Sequence, residues 1–191
     1  KIKYLDGLLA ISESSAKEAI KYLNYKPNNI INISSACNKE TFNTTRDIEF
    51  TLSDVLKKYT PFILYSGASD PRKNINRLLK AYSQLPQDLK HYKLVLVGKL
   101  LVPELKLINR WMKDLNIQLE NVYITGYISD TDLVSLYRQC SLFVFPSLHE
   151  GFGLPILEAM SCGAAVIGAN STSIPEIIGL QKAMFDPYSV N

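Results

Sequence analysis

The chain has 191 residues, 47% of them hydrophobic and 20% charged, with a net charge of +3. That length suits one packed domain with room for part of a second. So mild a charge argues against a nucleic-acid partner, which calls for a concentrated basic face, but one or two local cations can still hold a small anion.

In chain order, Leu8 to Ile11 reads as a first strand, and Ser12 can cap a helix running to about Leu23. Ile30 to Ile33 reads as a second short strand, and the polar stretch from Asn38 to Asp54 resembles a linker. The pattern then changes. Phe62 to Ser66 is an apolar run, followed by a helical pattern from about Asn74 to Leu85. Lys93 to Val97 ends at Gly98, with a helix expected from about Pro103 to Leu115. Val122 to Thr125 ends at Gly126, with a helix near Thr131 to Gln139. Leu142 to Phe145 ends at Pro146, with a helix from about Pro155 to Ser161. Ala165 to Ile167 ends at Gly168, with a helix near Pro175 to Ile178.

These strands are apolar throughout rather than alternating, as in a parallel sheet covered on both faces. Strand–helix repetition of this kind predicts an α/β fold, a doubly wound Rossmann-like sheet with helices on both faces. Ligands in such sheets sit at the carboxyl ends of the strands. The loops after Ser66, Val97, Thr125, Phe145 and Ile167 are therefore expected to share one rim.

The most informative loop runs from Pro146 to Met160. Pro155 fits the first turn of a helix, and Gly151 and Gly153 allow close backbone approach just before it. The free N–H groups of such a helix start favour an anion such as phosphate. Glu150 precedes the helix and Glu158 lies about one turn inside it, so both carboxylates can face one rim. There they would accept hydrogen bonds from sugar hydroxyls. On loop chemistry alone, a glycine-rich turn with two solvated glutamates explains the segment equally well. Near the first strand of the main sheet, Gly67 is followed by Arg72 and Lys73, which can bind a diphosphate or form a solvated basic turn. Asp130 and Asp132 could hold a divalent metal, but Ser129 followed by Asp132 reads first as a helix cap.

Other chemistries find little support. The glycines match neither a dinucleotide fingerprint nor a P-loop. Cys37, Cys140 and Cys162 lack zinc-ligand spacing and read as core or helix-end thiols. His91 reads as a surface residue and His149 as one that shapes the Glu150 loop. No apolar run approaches the roughly 20 residues of a membrane span. The opening Lys1 to Asp6 has too short an apolar stretch for a secretion signal. A cytoplasmic protein is expected, with peripheral docking at the inner membrane face left open.

Taken together, these residues resemble the group 1 family of retaining glycosyltransferases, which have the GT-B fold. The most specific part is Glu150-Gly-Phe-Gly-Leu-Pro-Ile-Leu-Glu158, which is similar to the family's Glu-x7-Glu signature and its usual filling. The segments from Val122 to Tyr127, Tyr137 to Ser147, Ala159 to Gly163 and Ser173 to Glu176 continue the likeness in order, as do Phe185 to Pro187 and Arg72-Lys73-Asn74. The resemblance implies that residues 1–45 are a remnant of the N-terminal acceptor domain with its linker. Residues 46–191 would be the nucleotide-sugar donor-binding domain, the C-terminal half of a GT-B fold without its closing helices.

The resemblance also implies roles. The donor-binding set would be Gly67, Lys73, Tyr127, Ile128, Glu150, Phe152, Gly153, Leu154 and Glu158. Glu158 would hold the ribose hydroxyls and Glu150 would stand near the transferred sugar. Backbone groups at Phe152, Gly153 and Leu154 would contact sugar and diphosphate, while Tyr127 and Ile128 lie beside the base. Lys73 would neutralise the leaving diphosphate, with Arg72 beside it and no metal cofactor. Many relatives place an arginine where Ala68 stands, so Arg72 either substitutes for it or one cation fewer is used. The implied reaction moves a hexose, with retention, from a nucleotide sugar to a saccharide or lipid-linked acceptor. The partners are that donor, that acceptor and the chain's own N-terminal domain, and this stretch alone is expected to transfer nothing. A non-catalytic nucleotide-sugar-binding module and a sugar-nucleotide epimerase are the alternatives.

Overall fold

The computed structural model describes residues 5–45, 57–67 and 70–190. A small N-terminal unit comes first. Strands β1 (Leu8–Ala10) and β2 (Ile30–Asn32) pair in parallel, and helix α1 (Glu13–Leu23) connects them. Ser12 caps α1 as its sequence predicts, accepting the Ser15 N–H, and Asn24 ends the helix in the left-handed conformation. Leu9, Ile11, Ile31 and Ile33 of this unit are exposed.

The larger unit is a six-stranded sheet. Its strands are β3 (Phe62–Ser66), β4 (Lys93–Val97), β5 (Val122–Gly126), β6 (Leu142–Phe145), β7 (Val166–Ala169) and β8 (Met184–Phe185), in the order β5-β4-β3-β6-β7-β8. Every pairing is parallel. Between them lie α2 (Ile75–Ser83), α3 (Val102–Asp114), α4 (Asp130–Gln139), α5 (Leu154–Ser161) and α6 (Ile174–Ile178).

The continuous apolar runs are explained by the two cores. Phe62, Leu64, Val95, Val97, Phe143 and Phe145 join Val134, Tyr137, Ile156 and Ile174 of α4, α5 and α6. The intervening residues Tyr65, Leu94, Leu96 and Val144 join Leu78, Leu79, Ile108 and Met112 of α2 and α3. Successive strand side chains point to opposite faces, so a sheet buried on both sides needs apolar residues at every position. The sheet is doubly wound, as its sequence pattern predicts.

Part of the expected linker is ordered against this sheet. Phe42 is buried in the first core and its ring lies 6.4 Å from that of Tyr137. The Arg138 guanidinium donates to the Asn43 carbonyl. The rest of that stretch, residues 46–54, lies outside the described residues. Cys37, Cys140 and Cys162, far apart in sequence, all border the first core. Among the described residues no helix is long and apolar enough to cross a membrane.

Helix α6 sits close on β7 because residue 168 has no side chain. A Cβ there would lie 2.6 Å from Ile178 Cδ1 and 2.9 Å from Ile174 Cγ2. Gly168→Ala is expected to cost about 1–3 kcal/mol, as overpacking does. A thermal melt unchanged by this substitution would show that α6 shifts freely.

Candidate functional site

The strand order reverses direction between β3 and β6. From β3 the chain winds outward through β4 and β5; from β6 it winds the other way through β7 and β8. The crevice outside the carboxyl ends of two such strands is the usual ligand position in an open α/β sheet. The loops that leave β3 and β6 carry Arg72, Lys73 and Glu150.

After β3, Gly67 donates its N–H to the Val97 carbonyl at 2.9 Å. Ala68 lies outside the described residues. Asp70 then caps a 3₁₀ turn, Pro71–Lys73, and Asn74 follows in the left-handed conformation at φ 61°. Asn74 is buried, and its side-chain amide donates to the carbonyls of Pro146 (3.0 Å) and Pro187 (2.9 Å). The Leu148 N–H donates to the Arg72 carbonyl at 2.7 Å. These bonds tie the β3 turn to the loop after β6. Lys73 consequently meets Glu150, with Nζ 2.6 Å from Oε1 and both side chains mostly shielded from solvent. The Lys73 ammonium also stands 5.5 Å from the centre of the Phe145 ring.

Arg72 is not drawn into this cluster. Its side chain is 62% exposed and its guanidinium pairs with Asp70 at 2.8 Å. The hydrogen bonds from Arg72 hold the Asp70 carboxyl down at about 2. The two adjacent cations therefore serve different partners.

The loop from His149 to Gly153 is held from the other side by residues preceding α6. The Glu150 N–H donates to Thr172 Oγ1 at 3.0 Å. Ser173 Oγ, fully buried, lies 3.0 Å from the Glu150 carbonyl and 2.6 Å from the Phe152 carbonyl. Gly153 adopts φ 122°, a backbone conformation that side-chain-bearing residues rarely adopt, and Pro155 occupies the first turn of α5. Among the described residues no acceptor faces the N–H groups of Phe152, Gly153 and Leu154. Such a run of unpaired donors at a helix start attracts an anion.

Glu158 lies one turn into α5. The buried Tyr137 hydroxyl donates to its Oε2 at 3.4 Å. Burial raises the Glu158 pKa above its ordinary value, while the Tyr137 hydrogen bond opposes the rise. Glu150 is thus held by Lys73, and Glu158 by Tyr137. Tyr127, just beyond β5, is 83% exposed, and Ile128 packs partly against the core. Asp132 is held by Ser129, the cap of α4. Ser129 Oγ accepts its N–H at 3.1 Å and donates to its Oδ2 at 2.8 Å. His91 is an exposed residue bonded to the Asp88 carbonyl, and His149 Nδ1 lies 3.5 Å from the Glu18 carboxylate.

The sequence reading missed Asn74, Tyr137, Thr172 and Ser173 as members of this site. Asn74 read as a helix residue, although Asn is among the few side chains that tolerate left-handed backbone. Tyr137 read as a residue of the helix near Thr131 to Gln139, in a segment that continues the family likeness. Ser173 read as part of the turn that runs to Glu176, and nothing local marks which loop it and Thr172 clamp.

The family model described as "Glycosyl transferases group 1" matches residues 49–191. The chain belongs to this family. Among curated relatives, the serotype-specific mannosyltransferase WbdA of Escherichia coli is 44% identical over 188 residues, covering 97% of this chain and 23% of that protein. The O-antigen chain mannosyltransferase B of Escherichia coli is 36% identical over 196 residues, covering 96% of this chain and 48% of that protein. This group 1 chain therefore spans 23% of the length of one of these relatives and 48% of the other. Among solved structures, Anabaena HepE in complex with UDP and glucose superimposes with a TM-score of 0.83 at 22% identity, over 98% of this chain and 51% of that one. Sucrose-phosphate synthase from Thermosynechococcus elongatus gives 0.80 at 26% identity, over 99% of this chain and 47% of that one. The group 1 fold is thus the Rossmann-like α/β half of a GT-B architecture.

Proposed function

We propose that this chain is the donor-binding half of a retaining, metal-independent glycosyltransferase. It takes a hexose, most simply mannose, from a nucleotide diphosphate sugar and gives it to a saccharide or lipid-linked acceptor. One observation carries this reading. Lys73 and Glu150 meet at the strand-order reversal, beside three unpaired N–H groups at the start of α5. The mannosyltransferase names of the relatives support the choice of sugar.

In this reading the N–H groups of Phe152, Gly153 and Leu154 receive diphosphate and sugar oxygens. Lys73 has three donor hydrogens, so it can keep Glu150 while also binding a phosphate oxygen. The acceptor hydroxyl oxygen bonds to the anomeric carbon on the face that the diphosphate leaves; the bond to the phosphate oxygen breaks, the nucleotide diphosphate departs with the electron pair, and that phosphate oxygen takes the proton the hydroxyl loses. Negative charge grows on that group, and the ammonium and N–H dipoles stabilise it without a metal. Glu158 accepts the two ribose hydroxyls, Glu150 stands beside the sugar, and Tyr127 and Ile128 flank the base. Gly67 leaves room for the Tyr65 ring, whose hydroxyl a Cβ at that position would meet at 2.6 Å. Arg72 supplies positive potential at the rim while paired with Asp70. Residues 5–33 belong in this reading to the acceptor half, because a two-stranded sheet with apolar residues exposed needs further strands or helices to cover it. The acceptor's lipid anchor would bring the enzyme to the membrane surface.

The test is a thermal melt with UDP, GDP and their sugars, with and without magnesium. At 100 times its dissociation constant the correct nucleotide should add about 2.7 kcal/mol, or on the order of 5–10 °C. Magnesium should leave that shift unchanged. Absence of a shift with every nucleotide diphosphate would remove the proposal.

A further inference from the structure

Helix α1 belongs to the small N-terminal unit, yet its first turn rests on the loop that carries Glu150. Ser12 Oγ donates to the Gly151 carbonyl at 2.7 Å, and Ser15 Oγ donates to the same oxygen at 2.9 Å. Ser12 is 1% exposed. A Cβ on residue 151 would make only ordinary contacts here, with Ile11 Cδ1 at 3.4 Å and Ser15 Oγ at 3.8 Å. The opposite side of the same turn is held by Glu176 of α6. Its two carboxylate oxygens accept the N–H groups of Glu13 (2.9 Å) and Ser14 (2.8 Å). These are charge-assisted bonds to a helix N-terminus, where a carboxylate is favoured.

We propose that Glu176, Ser12 and Ser15 form a positioning device that sets the direction of the Gly151–Phe152 peptide and so makes donor binding depend on the seating of the N-terminal unit. The peptide unit is planar and trans, so its C=O and N–H point in opposite directions. Two hydroxyls that hold the Gly151 oxygen toward α1 thereby aim the Phe152 N–H away from α1. Ser173, three residues before Glu176, meanwhile holds the carbonyls on either side of that peptide, those of Glu150 and Phe152. The stretch from 172 to 176 thus grips the loop at one end and the N-terminal unit at the other. A displacement of α1 frees the Gly151 carbonyl, and the glycine then lets the peptide rotate. The consequence for catalysis rests on the donor-binding reading of this loop; the mechanical coupling does not.

The experiment compares Glu176→Ala, Glu176→Gln and Ser15→Ala in the full-length protein. The Phe152 amide NMR resonance reports how the Gly151 carbonyl is bonded, because the two groups share one peptide. Glu176→Ala and Ser15→Ala should both move that resonance, although Glu176 does not touch the peptide, and Glu176→Gln should restore it in part. With a nucleotide sugar, loss of these bonds should lower kcat/KM about ten- to hundredfold, most of it in the donor KM. A Phe152 resonance that moves in Ser15→Ala but not in Glu176→Ala would reduce Glu176 to a helix cap and overturn the proposal. So would equal losses in both Glu176 variants that follow thermal stability alone. If the resonance moves as expected while the wild-type protein binds no nucleotide, the donor reading fails and the positioning device stands.

Discussion

Glu158→Ala should abolish stabilisation by any nucleotide diphosphate while leaving the ligand-free protein folded. A carboxylate accepting both hydroxyls of a ribose makes two charged hydrogen bonds, each worth about 1.5–3 kcal/mol. Their loss weakens binding by about two to four orders of magnitude. A nucleotide concentration that was 100 times the dissociation constant then falls to that constant or below. Stabilisation drops from about 2.7 to under about 0.5 kcal/mol, which a melt barely registers.

Folding should respond differently, and the sign follows from the pKa. Burial raises the folded-state pKa of Glu158. Such a group favours the folded state below its unfolded pKa, and that contribution is lost as pH rises through the folded pKa. At neutral pH the ionised side chain is therefore a cost to the empty protein. Glu158→Gln should match or exceed the wild type in ligand-free melting temperature at pH 7. Nucleotide affinity should fall with acidification through the raised pKa, at a higher pH than for an exposed glutamate, because the protonated form is a weaker acceptor. Titration of affinity against pH checks this. Unchanged affinity in Glu158→Ala would show that the ribose lies elsewhere.

Lys73→Ala has the largest expected effect on turnover. Removing one group that stabilises developing negative charge costs about 3–4 kcal/mol of barrier, a factor of about 100–1000 in kcat. The donor KM should change less, because the charge that Lys73 meets is greatest in the transition state. The substitution also strips the Glu150 carboxylate, which is 15% exposed, of its cation at 2.6 Å. Lys73→Met, which keeps the apolar stem over Phe145, is the control for packing. Lys73→Arg should recover only part of the rate, since a planar fork replaces a compact charge with three rotatable donors. The measurement is steady-state kinetics of the full-length enzyme. A raised KM with full kcat would make Lys73 a ground-state contact only.

Much of this site could be read from neighbouring residues. Ser12 and Ser129 cap helices because a side-chain oxygen reaches an N–H three residues ahead, a contact that needs no tertiary structure. Pro155 and the glycines before it mark the start of α5 for the same local reason. Other residues were silent. Asn74 acts through carbonyls 72 and 113 residues away, and Ser12 through one 139 residues away. The Arg72–Lys73 pair offered two equivalent cations in sequence. In the fold, Asp70 takes Arg72 and Glu150 takes Lys73.

The class of fold follows from the residue pattern alone, and so do the free donors of the central loop. Unbroken apolar runs require two buried faces, and a glycine-loosened helix start offers unpaired N–H groups wherever it is placed. The strand order emerges in the folded chain, and with it the adjacency of β3 and β6 and the meeting of Lys73 with Glu150. Strand order depends on which crossovers pack best around a common core, a sum over distant contacts that no local pattern encodes.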